Sequence, residues 1–451
     1  MEEKNIQTLA EFRELLSTRQ YTALRTLANN MNESDLAEIM EGMEDEDMLK
    51  MFRLFPKELA ADVFSQLEPD SQQYIISSLS EKEAGLIIDH LDSDDAADLL
   101  EEMPANVVSK ILANARPDTR QDINHLLRYE DDSAGSVMTV EFVDLKETMT
   151  VTDALGRIRQ LGKDCATADE CYVLDAKRKL IGLISLRHLV LRQPQEIIHD
   201  IMNTDVISCT TSTDEEKVAN LFKKYDLTAM PVVDNETRMV GIITVDDVMD
   251  IMEKETTEDM EKMAAIIPSD KSYLKTGVIE TWKKRFPWLL LLMISATFTG
   301  KIITSYEDAL SKFVVLTAYI PMLMDTGGNA GSQASTEVVR ALSLDQIGFR
   351  DFFKIVFKEM RVGLLCGVTL AGANFLKCIW IDGVTPTIAA IVCLTIICAI
   401  VISKIAASAL TMAVDRVHLD PAVVASPMLT TVIDAVSLMI YFLIATAMLG
   451  I

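Results

Sequence analysis

Five apolar runs dominate the C-terminal part of this chain, at about Phe286–Ile303, Phe313–Thr336, Phe352–Lys377, Pro386–Val414 and Ala422–Leu449. A hydrocarbon layer of about 30 Å takes roughly 20 mostly apolar residues to cross as a helix. Runs of that length leave few folds open, because every amide in lipid must be paired within its own helix or in a closed barrel. Residues 281–451 are therefore expected to form a transmembrane domain of five α-helices. Charge divides at the same place. Up to Glu280 the sequence holds 57 acidic and 29 basic residues, a balance of −28; beyond it come 11 acidic and 13 basic, a balance of +2.

The first run lies far from the start and "MEEKNIQTLAEF" has no apolar leader, so the acidic part is expected in the cytosol. Basic residues near the run ends agree. Lys283, Lys284, Arg285, Arg340, Arg350, Lys354, Lys358, Arg361 and Arg416 fall on the side shared with the N-terminus, and Lys301, Lys312 and Lys377 opposite. By the positive-inside bias the N-terminus faces the cytosol and the C-terminus the outside. Cys165, Cys171, Cys209, Cys366, Cys378, Cys393 and Cys398 include no CxxC pair and read as reduced apolar residues rather than disulfides or zinc ligands.

The acidic part opens on an internal repeat. Met43, Phe55, Leu67, Leu79, Leu91, Met103 and Ala115 recur every twelve residues, each opening a polar turn such as "FPKE", "LEPD" or "LDSD". The apolar helices between them, "ADVFSQL" for one, are too short to stand alone and gain stability by stacking. Residues 1–132 are expected to be an all-α superhelix.

From Ser136 the pattern becomes strand and helix, twice over. "SVMTVEFVDLKETMTVTDALGRI" is echoed by "DIMNTDVISCTTSTDEEKVANLF", and "KLIGLISLRHLV" by "RMVGIITVDDVM". These halves, over 133–252, resemble a pair of CBS domains, with "PVVD" and "GIITVDD" as second-half marks. The resemblance implies an α/β module in which a Thr and an Asp hold a nucleotide's ribose, here Thr244 and Asp247. In the first half Ser185 and His188 stand at the matching places, so one nucleotide contact is missing. Next, "DDVMDIMEKETTEDMEKMAAI" predicts a helix with Val248, Ile251, Met252, Met260 and Met263 on one side, leading into an acidic connecting helix over 253–280.

Two of the apolar runs carry polar faces. Asp325, Asn329 and Gln333 recur every four residues with Ser332 and Thr336 beside them, while Gly327, Gly328 and Gly331 strip side chains from the same stretch. In the last run Pro427, Thr430, Thr431, Asp434 and Ser437 share a face. Polar groups at such depth meet protein or water, and an ionisable one is by default a pathway or ligand residue. Lys404 is a possible partner for a lone carboxylate, or it snorkels to the cytosolic interface. "GLLCG", with Gly363 and Gly367, reads as a helix-packing or dimer surface. Carboxylate, amide and carbonyl oxygens suit a hard cation such as Mg2+, which keeps several waters and takes one or two carboxylates. "GRIRQLGKD" has the wrong spacing for a Walker A loop, so fuelled pumping is not expected. Neither is an enzyme, since no nucleophile, base and orienting group assemble from the histidines and serines.

Taken in order, superhelix, CBS pair, acidic helix and spans, the chain resembles the MgtE family of bacterial magnesium transporters and channels. "GGNAGSQ" and "DPAVVASPMLTTVIDAVSLMIY" carry the membrane part of the resemblance. It implies a homodimer in the inner membrane with a Mg2+ pore on its two-fold axis. Asp434, Asp325, Asn329, Gln333 and Asp420 are the pore residues on this reading. It also implies a cytosolic Mg2+ sensor that shuts the pore, built from Glu58, Asp95, Glu216, Asp226, Asp247, Asp250, Glu255, Glu258 and Asp259, with ATP as a further ligand of the CBS pair. Ser426 and Ser332 stand where the family pattern has Asn. Two alternatives stay open: a carrier of Co2+, Ni2+ or Mn2+, and a nucleotide-sensing receptor whose spans only anchor it. An anchor would not need the polar faces.

Overall fold

The computed structural model describes residues 2–101, 103–163, 165–269, 273, 276–344, 346–417, 419–424 and 427–450, with side chains from Thr8 onward except at 308, 309 and 424. The chain divides into two compact units, Met1–Met252 and Glu253–Ile451.

The first unit opens with helices α1 (Glu2–Ser17), α2 (Tyr21–Ala28), α3 (Glu33–Glu41), α4 (Asp45–Phe52), α5 (Lys57–Ser65), α6 (Pro69–Ser78), α7 (Glu81–Ile88), α8 (Ser93–Glu101), α9 (Ala105–Asn114) and α10 (Pro117–Leu126). From α2 onward they start every twelve residues, so the repeat first read at Met43 reaches back to Tyr21. Local chemistry sets the starts: the Asn32 side chain accepts from Ser34 N, Ser80 and Glu83 form a capping box, and Pro69 and Pro117 open their helices. Each helix packs on the one two further along, α3 on α5 on α7 on α9 and α4 on α6 on α8 on α10, which yields two layers of a superhelix. Met43, Phe55, Leu67, Met103 and Ala115 are buried between them, with Leu79 and Leu91 partly so.

The α/β module follows as β1 (Phe142–Lys146), α11 (Val151–Leu161), β2 (Thr167–Leu174), β3 (Leu180–Ser185), α12 (Leu186–Val190), α13 (Ile198–Ile201), β4 (Cys209–Thr210), α14 (Glu215–Tyr225), β5 (Ala229–Val233) and β6 (Met239–Thr244). Each half is a three-stranded sheet, with a parallel pair across a helical crossover and then an antiparallel pair. The halves exchange their leading segments: Thr139 bridges to Ile242 of the second sheet and Asn203 to Leu183 of the first. That exchange explains the glycine in each echo. A Cβ at Gly182 would stand 2.5 Å from Met202 Sδ, and one at Gly241 2.6 Å from Thr139 O.

Helix α15 (Val245–Met263) leaves the module. It buries Val248 and Ile251, Met252 and Met260 are 42% and 66% exposed, and Met263 is partly buried against Val339 and Ala422. Ending at Met263, the helix covers only the start of the expected 253–280 connector; residues 270–272, 274 and 275 of that stretch lie outside the described residues.

The second unit holds α16 (Val278–Ser305), α17 (Glu307–Lys312), α18 (Ile320–Ser343), α19 (Phe352–Trp380), α20 (Pro386–Arg416) and α21 (Pro427–Leu449), with 3-10 turns at Val314–Tyr319, Phe349–Asp351 and Pro421–Val424. Among the described residues four helices, α16, α19, α20 and α21, are long and apolar enough to cross a membrane. The second expected run splits into the turn Val314–Tyr319 and α18, a 24-residue helix whose glycines and polar side chains dilute its hydropathy. Packed against α18, α19 and α21, α20 is the buried centre. Tyr441 Oη donates to Leu316 O at 2.9 Å and ties α21 to the turn before α18. Among the described residues the seven cysteines are free thiols.

Candidate ion pathway and acidic cluster

Helix α18 has two unlike faces. Leu323, Gly327, Gly328, Ala330, Gly331, Ala334 and Ser335 are buried, whereas Asp325, Asn329, Gln333 and Thr336 are exposed in the protomer. The glycines let its backbone approach α21. A Cβ at Gly328 would stand 2.8 Å from Thr430 Cγ2 and 3.6 Å from Asp434 Oδ1, one at Gly327 2.5 Å from Ser437 Oγ, and one at Gly331 would run into Ile433 Cδ1. Asp434 thereby lies against α18, within electrostatic reach of Asp325. Among the described residues its Oδ1 is buried and meets no hydrogen-bond partner, and Ser437 Oγ is in the same condition. Ser426 lies outside the described residues.

Lys404 is neither Asp434's partner nor a snorkelling residue. Its Nζ stands 3.4 Å from Glu359 Oε2 of α19, with Lys404 5% and Glu359 4% exposed. The reason is the packing at Gly363 and Gly367, where an added Cβ would meet Val401 Cα at 3.1 Å and Ile397 Cα at 3.0 Å. "GLLCG" is therefore an internal α19–α20 contact, and the close approach seals the ion pair between the two helices.

Asp420, an expected pore residue, lies beside α15 in the protomer. Its Oδ2 is 2.7 Å from Lys262 Nζ and its Oδ1 accepts from Ala422 N at 2.7 Å. Lys262 also pairs with Glu258 at 2.5 Å, and Asp259 accepts from Ser343 Oγ at 3.4 Å. Desolvation, then the charge of Asp420, pushes the Asp259 carboxyl up. Desolvation opposes the Lys262 charge, but its bonds to Asp420 and Glu258 outweigh that and push it up.

The first unit gathers carboxylates where α8 meets the start of α15. Asp94 is 7% exposed, and burial followed by the charges of Asp247 and Asp95 pushes it well up from 3.8. Asp95 is pushed up to about 7 by desolvation and by Asp247, Asp92, Asp98 and Asp246; Asp247 is pushed up to about 6, again mainly by desolvation. Thr244 donates to Asp247 through its backbone N–H at 3.2 Å and through its hydroxyl, so the two expected nucleotide contacts hold one another. Ser185 likewise caps its helix, accepting from His188 N at 3.2 Å.

The other expected sensor residues are more scattered. Glu58 is exposed on α5, where its charge and that of Glu33 act on Asp62. Glu216 is half-buried in the first turn of α14, and Asp226 ends that helix in the left-handed region at φ 51°. Asp250 is exposed, Glu255 half-buried. Among the described residues no three His, Cys, Asp or Glu side chains close around one point. Mg2+ does not require such a cage, since it keeps several waters and takes one or two carboxylates. Crowded carboxylates that resist ionising fit a divalent ion in that manner. Sequence reasoning missed Asp92, Asp94 and Asp246, although adjacent Asp residues in "LDSDDAAD" must send one inward at helical period.

Residues 320–444 match the MgtE divalent cation transporter family, 31–132 the MgtE intracellular N domain, and 134–194 and 198–254 CBS domains. A magnesium transporter MgtE of Thermus thermophilus is 36% identical over 452 residues, covering 100% of this chain and 99% of its own. The chain belongs to the MgtE family. MgtE of Bacillus subtilis is 30% identical over 94% of this chain and 93% of its own length. Among solved structures, the cytosolic domain of the Mg2+ channel MgtE in complex with ATP is 37% identical, with a TM-score of 0.52, over 54% of this chain and 99% of that one. The soluble part of a magnesium transporter is 28% identical, with a TM-score of 0.53, over 56% and 99%. These MgtE relatives are named as transporters or channels.

Proposed function

We propose that two copies of this chain enclose a Mg2+-selective channel in the bacterial inner membrane, with the N-terminal units in the cytosol and α18 as a fifth crossing. One observation carries this: the stripe Asp325, Asn329 and Gln333 is exposed in the protomer, beside an Asp434 oxygen that has no partner among the described residues. Lipid cannot face such a stripe, so a second copy covers it and leaves a water-filled path between them. Two Asp434 carboxylates then face one ion. Like charges in a low dielectric do not both ionise without a cation, which makes the site avid for a divalent one. The membrane potential favours inward Mg2+ by about 4.6 kcal/mol per 100 mV, so no fuel is needed.

Closure follows from the acidic residues. Mg2+ bound among Asp94, Asp95 and Asp247, with Glu58, Glu216, Asp226, Asp250, Glu255, Glu258 and Asp259 as further carboxylates, screens repulsion and favours the compact, closed form. When the ions leave, a part carrying −28 loosens and releases the gate. Several weak sites that share a preference for one state give a steep response. ATP on Thr244 and Asp247 would compete with the bond between them and with cations at Asp247.

Mg2+ flux into proteoliposomes tests both parts, using the native chain and Asp434→Ala with and without millimolar Mg2+ on the soluble side. Flux that requires Asp434 and falls on loading supports pore and sensor. Flux indifferent to both overturns the reading, and stronger uptake of Co2+, Ni2+ or Mn2+ in competition would change the cargo.

A further inference from the structure

Hydroxyls in the membrane helices of this unit usually bond to a carbonyl one turn back, as Thr395 does to Ile391 O at 2.8 Å, Ser408 to Lys404 O at 2.8 Å and Thr431 to Pro427 O at 3.0 Å. Ser437 makes no such bond, although it is only 1% exposed. Its Oγ is instead turned toward Gly327 of α18, close to the position a Cβ there would take, and Ser403 Oγ of α20 lies 3.4 Å from that same position. Three residues before Ser437, on the same helix face, is Asp434, whose Oδ1 is buried with no partner among the described residues.

A carboxylate oxygen is acceptor-only when ionised, and burying one without a donor costs more than the hydrogen bond it lacks. Ser437 follows Asp434 by three residues on one face of α21, and in this structure its Oγ is turned to Gly327 and does not bond Oδ1. A rotation about its Cα–Cβ bond is what would bring the hydroxyl to the carboxylate. We propose that Ser437 is the positioning residue of Asp434 and so a determinant of ion selectivity, an inference that rests on the pore reading above. In the ion-bound state its hydroxyl turns to donate to Oδ1 of the ionised carboxylate and leaves Oδ2 to face the path. Held by one oxygen, Asp434 offers an ion a single contact. That suits Mg2+, which keeps its water, and denies Ca2+ the bidentate grip it accepts. Gly327 leaves room for the hydroxyl, which a side chain on α18 would displace.

The test uses the full-length chain in proteoliposomes, with Mg2+ as the permeant ion and Ca2+ as the competitor, for native, Ser437→Ala, Ser437→Thr and Asp434→Ala proteins of verified assembly. In Ser437→Ala the Mg2+ concentration for half-maximal flux is expected to rise about tenfold, the size of one hydrogen bond to a charged group. Block by Ca2+ should strengthen with it, and Ser437→Thr, which keeps the hydroxyl, should restore both. A Ser437→Ala channel with native half-saturation and Ca2+ sensitivity overturns the proposal, and so does one whose maximal flux alone falls, because that is a packing defect. Either result leaves the pore reading standing as long as Asp434→Ala abolishes flux. Flux that survives Asp434→Ala overturns the pore reading itself.

Discussion

Two seams in the membrane unit place a carboxylate inside a bundle of apolar helices, and they do opposite things with it. Along α19 and α20, Gly363 and Gly367 bring the backbones together around Glu359 and Lys404, an ion pair sealed from both sides. Along α18 and α21, Gly327, Gly328 and Gly331 allow the same close approach, but among the described residues the protein supplies no cation to Asp434. A carboxylate with its counter-ion built in is a strut. One without it must take its counter-ion from outside, and in a membrane that is a statement about transport.

The contrast predicts opposite failures. Glu359→Ala leaves the Lys404 ammonium buried and unpaired, which costs about 3–5 kcal/mol. The expected outcome is a sharp drop in the thermal midpoint or in the amount of assembled protein. Replacing both, as Glu359→Gln with Lys404→Met, should recover stability, because a well-packed neutral pair is close to neutral energetically. Flux per assembled channel should remain within a few-fold of native. Asp434→Ala should keep the thermal midpoint and lose flux. A Glu359→Ala channel that melts normally but no longer conducts would erase the distinction.

The glycines sharpen it at a smaller scale. At Gly367 a Cβ would press to 3.0 Å of Ile397 Cα, an atom that cannot rotate aside, so Gly367→Ala is expected to cost about 1–3 kcal/mol while flux per folded channel stays intact. At Gly327 the obstacle is Ser437 Oγ, the end of a side chain that can turn away. Gly327→Ala should therefore fold and raise the Mg2+ needed for half-maximal flux, as Ser437→Ala does. Thermal shift read beside flux tells the two apart.

What was legible in the sequence is what repeats or alternates along the chain. The twelve-residue period marks the superhelix because each short helix buries the same positions, and the echo of "SVMTV" in "DIMNT" marks an exchange between sheets that places a Met against a Gly in each half. The α18 stripe was legible because four-residue spacing fixes a helix face whatever the tertiary fold. Pairings across long separations were not. Glu359 and Lys404 are 45 residues apart and met only when two glycines let their helices touch. The pairing of Asp420 with Lys262, far back on α15, was likewise not legible. Hydropathy also favoured a five-span reading, yet the helix with the clearest functional face is the one too polar to count as a span by composition.

In the acidic cluster of the first unit, charge is neither matched nor isolated but crowded, so its response should be graded by pH. With Asp95 near 7, Asp247 near 6 and Asp94 well above 3.8, each carboxyl holds its proton more tightly folded than unfolded. Their contribution to stability is full below about pH 4 and is lost as pH rises through about 6 to 7. Without Mg2+ the first unit should resist proteolysis better at about pH 5.5 than at about pH 8, and the protection Mg2+ adds should be greater at the higher pH. Asp95→Asn should protect at about pH 8 without Mg2+ and shrink the Mg2+ effect. A unit that loosens on acidification would show that crowding does not control it.

The smallest effect is expected where a protein cation already stands among carboxylates. Lys262 lies against Glu258 and Asp420, with Asp259 alongside, so this group resembles the Glu359–Lys404 strut more than the Asp434 site, but it is only partly buried. Partial exposure keeps such pairs weak. Lys262→Met removes the ammonium and leaves three carboxylates to seek a cation in solution. The Mg2+ concentration that closes the channel should then fall by about two- to threefold, the scale of a partly screened ion pair of under about 1 kcal/mol, with conductance unchanged. If closure instead needed more Mg2+, Lys262 would be holding α15 in its closed position as a strut, and this group would belong with Glu359 and Lys404 rather than between the two seams.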